Sequence, residues 1–351
     1  MSSRGRITKI GDKKPTLKTI SQKSGMAVPT VSRALADAPD ISEATKKKIR
    51  QIADELGYVP NRAGVRLRTG RTNVISLVMS AEREMMTQTA RLLTSVGLGL
   101  RGTQFHLNVS PIFPDDDPMV AVRYIVENQT ADCIIFNQVQ SEDPRAQYMM
   151  ERGFPFAAHG RTKWADQHPY YDFDNAAYSE FGIAEMVRRG RRNFVLVAPP
   201  LSQNYARDMV EGARKAAMDH QVQLHVAQQV HSDGYHQELR EWAIAKVQED
   251  PSIDGFICAS TNATMAVVAG MEHGGRQVGR EFDVVAKEAL PMLKFIRPEI
   301  IVVRENVEAT GAFLAKAAIQ AVQNPEAPPM QFLEVPTEFV SRDEPISIQE
   351  S

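Results

Sequence analysis

Residues 25–35, GMAVPTVSRAL, carry two hydroxyl side chains and one guanidinium along a single helical pattern. Hydroxyls such as those of Thr30 and Ser32 suit phosphate oxygens, and the forked guanidinium of Arg33 suits the edge of a guanine base. Pro29 falls in the first turn of the pattern, where its missing N–H has no helical acceptor to lose, so it starts the helix and does not break it. The segment therefore predicts a helix whose exposed face contacts nucleic acid.

Two further helical patterns flank this segment and are expected to hold it in place. The pattern over residues 17–24 ends at Gly25, and the pattern over residues 42–56 begins with Ser42 as its N-cap. A helix pair that meets at a glycine turn is the helix-turn-helix device, whose second helix enters the major groove of DNA. The predicted inner positions are Leu17, Ile20, Ser24, Val28, Val31, Leu35, Ile49, Ile52, Ala53 and Leu56, and the predicted basic outer face is Lys46, Lys47, Lys48 and Arg50.

Charge divides the chain into two unequal parts. The first 72 residues hold 16 Lys and Arg against 6 Asp and Glu, whereas the other 279 hold 25 against 37. A basic head on an acidic body indicates that the head alone meets a polyanion, either nucleic acid or an anionic membrane surface. No apolar run of a signal peptide opens the sequence, and no segment reaches the roughly 20 apolar residues that span a bilayer. We therefore expect a cytoplasmic protein with no membrane partner, although charge alone still allows a solvated three-helix domain without any partner.

The chain after residue 72 alternates strand-like and helical patterns. Apolar runs such as DCIIF, NFVLVA and DGFICA are followed by amphipathic stretches, which predicts doubly wound parallel sheets. Two α/β lobes in series account for this pattern, with a cleft between them where a small ligand binds. Cys133 and Cys258 fall inside buried strands and are expected to be reduced thiols. The predicted domains are an all-α helix-turn-helix head over residues 1–59, a hinge or linker over 60–72, and a core over 73–351 whose lobe 1 takes about 73–172 and 305–330 and lobe 2 about 173–304 and 331–345.

The stretch TLKTISQKSGMAVPTVSRALADAPDISEATKKKIRQIADELGYVPNRAGVRLRTGRTNVISLVM resembles the DNA-binding head, hinge and first core strand of the lactose-repressor (LacI/GalR) family of bacterial transcription regulators. Its most specific parts are TVSRAL and ISEATKKKIRQIADELGYVPN. Weaker similarity in FDNAAYSEFGIAEMVRRGRRNFVLV and IIVVRENVEATGAFLAKAAI extends the resemblance over nearly the whole chain. The resemblance implies a ligand-responsive repressor that binds a pseudo-palindromic double-stranded operator as a symmetric homodimer, with a core like that of periplasmic binding proteins.

Carried over by position, the resemblance also implies which residues contact DNA. Val28 and Pro29 face base edges, and Arg33 takes a base or a phosphate. Thr30 and Ser32 hold the DNA backbone. The implied contacts at the hinge are those of Tyr58, Asn61 and Arg62 with the backbone, and of Leu67, which matches a leucine that family members insert into the minor groove.

The sequence departs from the family pattern at one helix cap and in the cleft. Ala27 stands where the family has a serine N-cap, which costs on the order of 1 kcal/mol of helix stability. The family binds its effector, most often a sugar and sometimes a nucleobase, through an arginine, an Asn-Asp pair and an aspartate; here Met209, Ser260 with Thr261, and Glu288 occupy those positions. A carbohydrate is the expected effector; the alternatives are a non-sugar effector, such as a nucleobase, and a cleft that has drifted and holds no ligand. The candidate effector-binding residues are Arg207, Glu288, Ser260 and Arg161.

Two other classes of function compete with a DNA-binding regulator. A sugar-binding protein of the cytoplasm, or an exported carrier, would share the two-lobe core but would not need a basic head. An enzyme would need a reacting site, and no phosphate loop, nucleophile elbow or H-E-x-x-H run appears in the sequence. Residues 231–238, HSDGYHQE, group histidines with acidic residues as a metal site would, but they read as a solvated loop, so no metal or cofactor is expected. The tail SRDEPISIQES lacks the apolar heptads of a tetramer-forming bundle, which favours a dimer.

Overall fold

In a computed structural model the chain forms two compact units, Met1–Thr72 and Asn73–Ser351. The structure describes residues 14–59, 66, 70–81, 86–113, 115–289, 292–336 and 339. We call the smaller unit the head and the larger one the core.

The described part of the head contains three helices, α1 (Leu17–Ser24), α2 (Val28–Leu35) and α3 (Glu43–Leu56). Local sequence sets their ends. The hydroxyls of Thr16 and Ser42 accept backbone N–H groups in the first turns of α1 and α3, as N-caps do. Gly25 and Gly57 close the same two helices in the left-handed conformation, which glycine adopts without strain. The predicted cap of α3 and the predicted end of α1 are thus confirmed.

The three helices of the head pack around a small apolar core. The buried face that the spacing in α3 predicts is confirmed, whereas in α2 the buried residues are Val31 and Ala34. Val28, which the periodicity places inside, is 38% exposed. The fully or largely buried residues of this cluster are Ile20, Val31, Ala34, Ile49, Ile52 and Ala53.

Lys46 does not lie on the outer face of α3, contrary to the sequence-based expectation. Its side chain is only 7% exposed. The Nζ atom lies 2.7 Å from Glu43 Oε1 and 3.1 Å from Asp37 Oδ1. These two carboxylates hold the ammonium against the head, so Lys46 supports the packing of α3 and is not part of its exposed basic face.

The core begins with β1 (Val74–Ser80), α4 (Met86–Gly99), β2 (His106–Ile112), α5 (Pro118–Glu127), β3 (Cys133–Phe136), α6 (Pro144–Glu151), β4 (Phe156–His159) and β5 (Tyr170–Phe173). It continues with α7 (Asn175–Arg188), β6 (Asn193–Val197), α8 (Asn204–Asp219), β7 (Gln223–Val226), α9 (His236–Glu249), β8 (Gly255–Cys258), α10 (Thr261–His273), β9 (Asp283–Glu288), α11 (Leu293–Ile296) and β10 (Ile301–Arg304). It ends with α12 (Val307–Gln323) and β11 (Gln331–Glu334).

Each lobe of the core is built on one parallel sheet. The strand order is β11-β5-β4-β3-β1-β2 in lobe 1 and β10-β9-β8-β6-β7 in lobe 2. The inner strands β3, β6 and β8 are buried along their whole length, as their continuous apolar runs predict. The edge strands β2 and β7 keep exposed positions. The predicted fold, a helical head followed by two doubly wound α/β lobes, is therefore confirmed.

The last strand lies in lobe 1, which corrects one sequence-based boundary. β11 pairs in parallel with β5. The assignment of residues 331–345 to lobe 2 is therefore wrong for residues 331–334, because an edge strand is placed by its pairing partner and not by its own pattern. Phe339 returns to lobe 2, where its ring stacks on that of Phe181 with the centroids 3.9 Å apart. The chain thus crosses between the lobes after β5, after β10 and after β11.

None of the helices in the described ranges is long and apolar enough to cross a membrane. Both cysteines are free and buried, as expected. Burial raises the pKa of the Cys258 thiol to about 12, so this thiol stays protonated at neutral pH.

Candidate functional site

The exposed face of α2 carries the residues that the sequence assigns to DNA reading. Val31 and Ala34 turn fully inward, so the opposite side of this two-turn helix faces solvent. Val28, Pro29 and Arg33 are exposed on it, with Thr30 and Ser32 half-buried beside them. The structure brings the five predicted α2 residues onto one short helix whose inner side holds it to the head.

Arg33 has a partner in the head itself. Its guanidinium forms an ion pair with Asp40, in the loop that leads to α3. Both side chains are about half exposed, 57% for the arginine and 47% for the aspartate. A pair this open to solvent is weak, so a base or phosphate can replace Asp40.

The predicted hinge contacts are only partly described. Tyr58 follows the glycine that closes α3, packs against the core of the head and is half-buried, and this burial raises its pKa. Asn61, Arg62 and Leu67 lie outside the described residues.

A second candidate site is a cavity between the two lobes of the core. It lies where β3, β4 and β5 of lobe 1 and β8 and β9 of lobe 2 end, which is where parallel α/β sheets bind ligands. Apolar and aromatic side chains line part of it, namely Leu92, Phe173, Pro199, Tyr205, Ala259 and Val307. Polar side chains line the rest, namely Gln88, Thr89, Asn137, Gln138, His159, Asp172, Asn175, Ser232, Asp233, Ser260, Lys287 and Glu305.

Glu305 is the centre of a charge cluster at the floor of the cavity. Lys287 Nζ lies 3.5 Å from its Oε2 atom, and His159 Nε2 lies 3.7 Å from its Oε1 atom. Burial opposes ionisation of Glu305, but the neighbouring Lys287 and His159 outweigh burial and lower its pKa to about 2. Lys287 comes from β9 of lobe 2 and His159 from β4 of lobe 1, so Glu305 contacts side chains of both lobes.

Arg161 connects the lobes at the edge of the cavity. Its Nε donates to Asp172 Oδ2 at 2.7 Å, and its Nη2 donates to Asp208 Oδ2 at 3.0 Å. Asp172 belongs to β5 of lobe 1 and lines the cavity, whereas Asp208 belongs to α8 of lobe 2. Arg161 is therefore behind the lining and orients Asp172.

The segment after β7 reaches into the cavity, although the sequence suggests a solvated loop there. Ser232 is 2% exposed, and its Oγ donates to Asp233 Oδ1 at 2.7 Å. Ser260 holds the segment in place, since its Oγ donates to the Ser232 carbonyl at 3.1 Å. The interpretation of residues 231–238 as solvated is therefore wrong for Ser232 and Asp233. Within the described ranges, no group of three or more His, Cys, Asp or Glu side chains is placed to hold a metal ion.

Of the four effector-binding candidates, the structure places one on the cavity and one behind it. Ser260 lines the cavity, and Arg161 acts through Asp172. Glu288 does not point there, because its Oε1 accepts the N–H groups of Met292 and Leu293 at 2.7 Å each and so caps α11. Arg207 is absent from the lining as well; it is exposed, and its Nε donates to the Leu201 carbonyl at 3.2 Å.

The sequence-based reasoning missed four charged residues of the cavity. Asp172, Lys287 and Glu305 each stand at or just after the carboxyl end of a buried strand, and that position is the signal that identifies them. Asp233 carries no such local signal, because its strand ends several residues earlier.

Comparisons with known proteins agree with this geometry. The family model for bacterial regulatory proteins of the lacI family matches residues 16–61, and the model for a periplasmic binding protein-like domain matches residues 183–343. The HTH-type transcriptional regulator AglR of Rhizobium meliloti (strain 1021) is 26% identical over 320 residues, which cover 88% of each chain. The HTH-type transcriptional regulator CelR of Thermobifida fusca is 23% identical over 328 residues, which cover 92% of this chain and 96% of CelR.

Solved structures show the same fold. A lac repressor dimer bound to operator and the anti-inducer ONPF matches with a TM-score of 0.80 at 18% identity, covering 94% of this chain and 98% of that one. A complex of the transcriptional regulator CelR with cellobiose matches with a TM-score of 0.68 at 20% identity, covering 93% and 98%.

A helix-turn-helix head with an exposed reading face, in one chain with a two-lobe core that encloses a polar cavity, defines a DNA-binding transcription regulator with a ligand-binding core. The head matches the lacI family of bacterial regulatory proteins, and the chain is similar over most of its length to HTH-type transcriptional regulators. It is therefore a regulator and not an enzyme.

Proposed function

We propose that the protein is a cytoplasmic repressor that binds a pseudo-palindromic operator as a homodimer and responds to a carbohydrate held between its lobes. The observation that carries the proposal is the exposed face of α2 in a head with an excess of basic residues. AglR and CelR, both HTH-type transcriptional regulators, resemble the chain over most of its length. A dimer is supported by the fold match to the operator-bound lac repressor dimer.

In the proposed complex α2 lies in the major groove. Val28 and Pro29 offer only apolar contact, which suits thymine methyl groups, and Arg33 reads a guanine or holds a phosphate. Thr30, Ser32 and Tyr58 hold the DNA backbone. Asn61, Arg62 and Leu67 contact the DNA from the hinge, with Leu67 inserted into the minor groove.

The carbohydrate is proposed because the cavity combines the two surfaces that a sugar presents. Carboxylates and amides such as Asp172, Asp233 and Asn137 suit hydroxyl groups, while Phe173 and Tyr205 suit the apolar face of a pyranose ring. CelR, in the matching solved complex, holds cellobiose. Ser260 and Arg161 remain in the proposed site, the latter through Asp172, whereas Arg207 and Glu288 do not.

Regulation follows as a population shift. A ligand that contacts both lobes stabilises one lobe arrangement, and it changes operator affinity to the extent that this arrangement differs in its affinity for DNA. Coupling of this kind is typically about 1–3 kcal/mol, or roughly 5- to 150-fold in affinity.

The test of DNA binding is salt dependence on a palindromic duplex selected from a randomised pool. If each dimer neutralises about 6–10 phosphates, affinity falls by roughly 10³ to 10⁵ between 50 mM and 200 mM salt. Lys215→Gln is a matched control, because Lys215 is an exposed lysine of the core and its loss leaves the salt slope unchanged. Absence of duplex binding at 50 mM salt would contradict the proposed function.

A further inference from the structure

Two cavity-lining side chains contain buried polar atoms that no described residue satisfies. They are the Oδ2 atom of Asp233 and the Oγ1 atom of Thr89. Three other buried side-chain atoms share this condition among the described residues, in Ser179, Asn193 and Gln203, but these residues do not line the cavity. A buried polar atom without a partner is costly, so its presence in a cavity indicates a ligand group that completes it.

The two unsatisfied atoms come from opposite lobes. Thr89 belongs to α4 of lobe 1, and Asp233 follows β7 of lobe 2. The other carboxylate oxygen of Asp233, Oδ1, already accepts a hydrogen bond from the Ser232 hydroxyl at 2.7 Å. The carboxylate is therefore held in one orientation, with Oδ2 left for a donor on the ligand.

In the described part of the chain, the lysine and arginine nearest the cavity, Lys287 and Arg161, are already paired with protein oxygens. Lys287 is the only lysine or arginine in the described lining, and its Nζ is shared between Glu305 at 3.5 Å and Asn175 Oδ1 at 3.1 Å. Arg161, behind the lining, is paired with Asp172 and Asp208. Among the described residues, an acidic ligand would find no uncommitted lysine or arginine there and would face the carboxylate of Asp233.

We propose, building on the repressor function above, that the effector is an uncharged polyhydroxylated compound. Asp233 makes the site bind this neutral compound more tightly than the acidic or phosphorylated derivatives of the same compound. One ligand hydroxyl donates to Asp233 Oδ2, and another pairs with the Thr89 hydroxyl across the cavity. Binding thereby satisfies one atom of each lobe, which favours a lobe arrangement in which both atoms reach the ligand. Burial raises the pKa of Asp233 in the absence of ligand, as expected for a carboxylate that lacks its second partner.

The test compares neutral sugars with their charged derivatives by isothermal titration calorimetry of the full-length protein. The neutral panel is glucose, galactose, cellobiose, maltose, melibiose and raffinose, and the charged panel is glucuronate, galacturonate, glucose 6-phosphate and galactose 6-phosphate. We expect at least one neutral sugar to bind, and at least tenfold more tightly than any charged member. Tighter binding of a charged member, or no binding of any neutral one, overturns the inference. Operator binding by the same preparation, measured separately, shows in either case whether the repressor function stands.

Substitutions test whether Asp233 is the residue that discriminates between neutral and charged ligands. Asp233→Asn keeps the shape and the Ser232 contact but removes the charge, so we expect the neutral sugar to bind at least tenfold more weakly and the gap between neutral and charged ligands to narrow. Thr89→Val is expected to weaken neutral binding about threefold. Asp219→Asn, the same change at an exposed site of lobe 2, serves as the control and leaves both affinities unchanged.

The melting temperature of the ligand-free variant separates a loss of ligand binding from a folding defect. Asp233→Asn is expected to leave the melting temperature of the ligand-free protein unchanged or raised, because it removes an incompletely satisfied buried carboxylate. If Asp233→Asn leaves both the neutral affinity and the neutral-to-charged gap as they are, Asp233 is not the selecting residue and the inference fails.

Discussion

At the scale of single residues, Arg33 shows how the head keeps available a side chain that we propose reads DNA. Its ion pair with Asp40 is open to solvent on both sides and so contributes at most about 1 kcal/mol. A bidentate bond to guanine discriminates against other bases by about 1–3 kcal/mol. Asp40 therefore keeps the guanidinium near the exposed face of α2 without preventing it from binding a base.

The substitution Arg33→Lys separates charge from geometry at this position. Lysine keeps the positive charge but lacks the planar fork, so we expect affinity for the selected operator to fall about tenfold while affinity for an unrelated duplex changes by less than about twofold. Fluorescence anisotropy with both duplexes at one salt concentration measures the difference. Asp40→Asn is the control and should keep the sequence preference. Equal losses on both duplexes would mean that Arg33 contacts phosphate only.

The polar residues of the cleft show how far residue types alone predict a site. Ser260 could be identified from its position in the family pattern, and it lies two residues after the end of the buried strand β8. Glu288 has the same kind of position, yet the N–H groups at the start of α11 capture its carboxylate, and Lys287 enters the cavity instead. Asp233 could not be predicted, since its placement depends on the contact of its segment with Ser260, which is distant in sequence.

At the scale of elements, α2 is distinguished by its start. Ala27 occupies the N-cap position with extended backbone and provides no side-chain bond, whereas α1 and α3 have hydroxyl caps. Pro29 in the first turn restricts the backbone without replacing that bond. The first turn of α2 therefore keeps N–H groups available for a phosphate oxygen in the proposed DNA complex, at a cost in helix stability.

The substitution Ala27→Ser restores the cap and measures this cost. A serine N-cap stabilises a helix by typically about 1 kcal/mol. This lowers the open population of the α2 amides, and so slows their hydrogen exchange, roughly fivefold. Hydrogen exchange of the full-length protein, followed by mass spectrometry of peptides that cover α2, reports the change. Ala36→Ser, at the opposite end of the helix, offers no N-cap bond and should leave exchange as it is. Equal slowing by both serines would show that capping is not the cause.

Elements were predictable where their determinants are local. The cap at Ser42, the stop at Gly25 and the buried runs of β3, β6 and β8 are all encoded within a few residues. The lobe of β11 was not predictable in this way. Two of its four residues are exposed and two are half-buried, and only pairing with β5, about 160 residues earlier in the chain, places the strand in lobe 1. Lys46 was misplaced for a related reason, since Asp37 reaches it from outside α3.

At the scale of the whole molecule, the two lobes of the core are joined by polar contacts at the cavity edge. Arg161 bonds to Asp172 of lobe 1 and Asp208 of lobe 2, and the Asn204 N–H of lobe 2 donates to the Val139 carbonyl of lobe 1 at 2.8 Å. These contacts depend on the lobes being close together. They therefore stabilise one lobe arrangement, and effector binding acts on the same equilibrium.

Asp208 makes this arrangement sensitive to pH. Burial raises its pKa to about 6 and the acidic neighbours Asp172, Glu211 and Asp174 add to the increase, while Arg161 opposes it. Because the folded-state pKa lies above the ordinary value of 3.8, the folded protein favours protonated Asp208. Its contribution to stability is complete below about pH 4 and is lost as the pH rises through about 6.

The substitution Asp208→Asn tests the sign of this effect. Asparagine cannot ionise, so at pH 7.5 we expect the variant to be more stable than the wild type, by about 1 kcal/mol after allowance for solvent screening, or about 2–4 °C in melting temperature. The difference should shrink towards zero as the pH falls from 7.5 to 4.5, and differential scanning calorimetry across that range measures it. Asp219→Asn, on the same helix but exposed, provides the baseline. A variant less stable than the wild type at pH 7.5 would show that the ion pair with Arg161 outweighs the burial of the carboxylate, and that Arg161 joins the lobes chiefly through its charge.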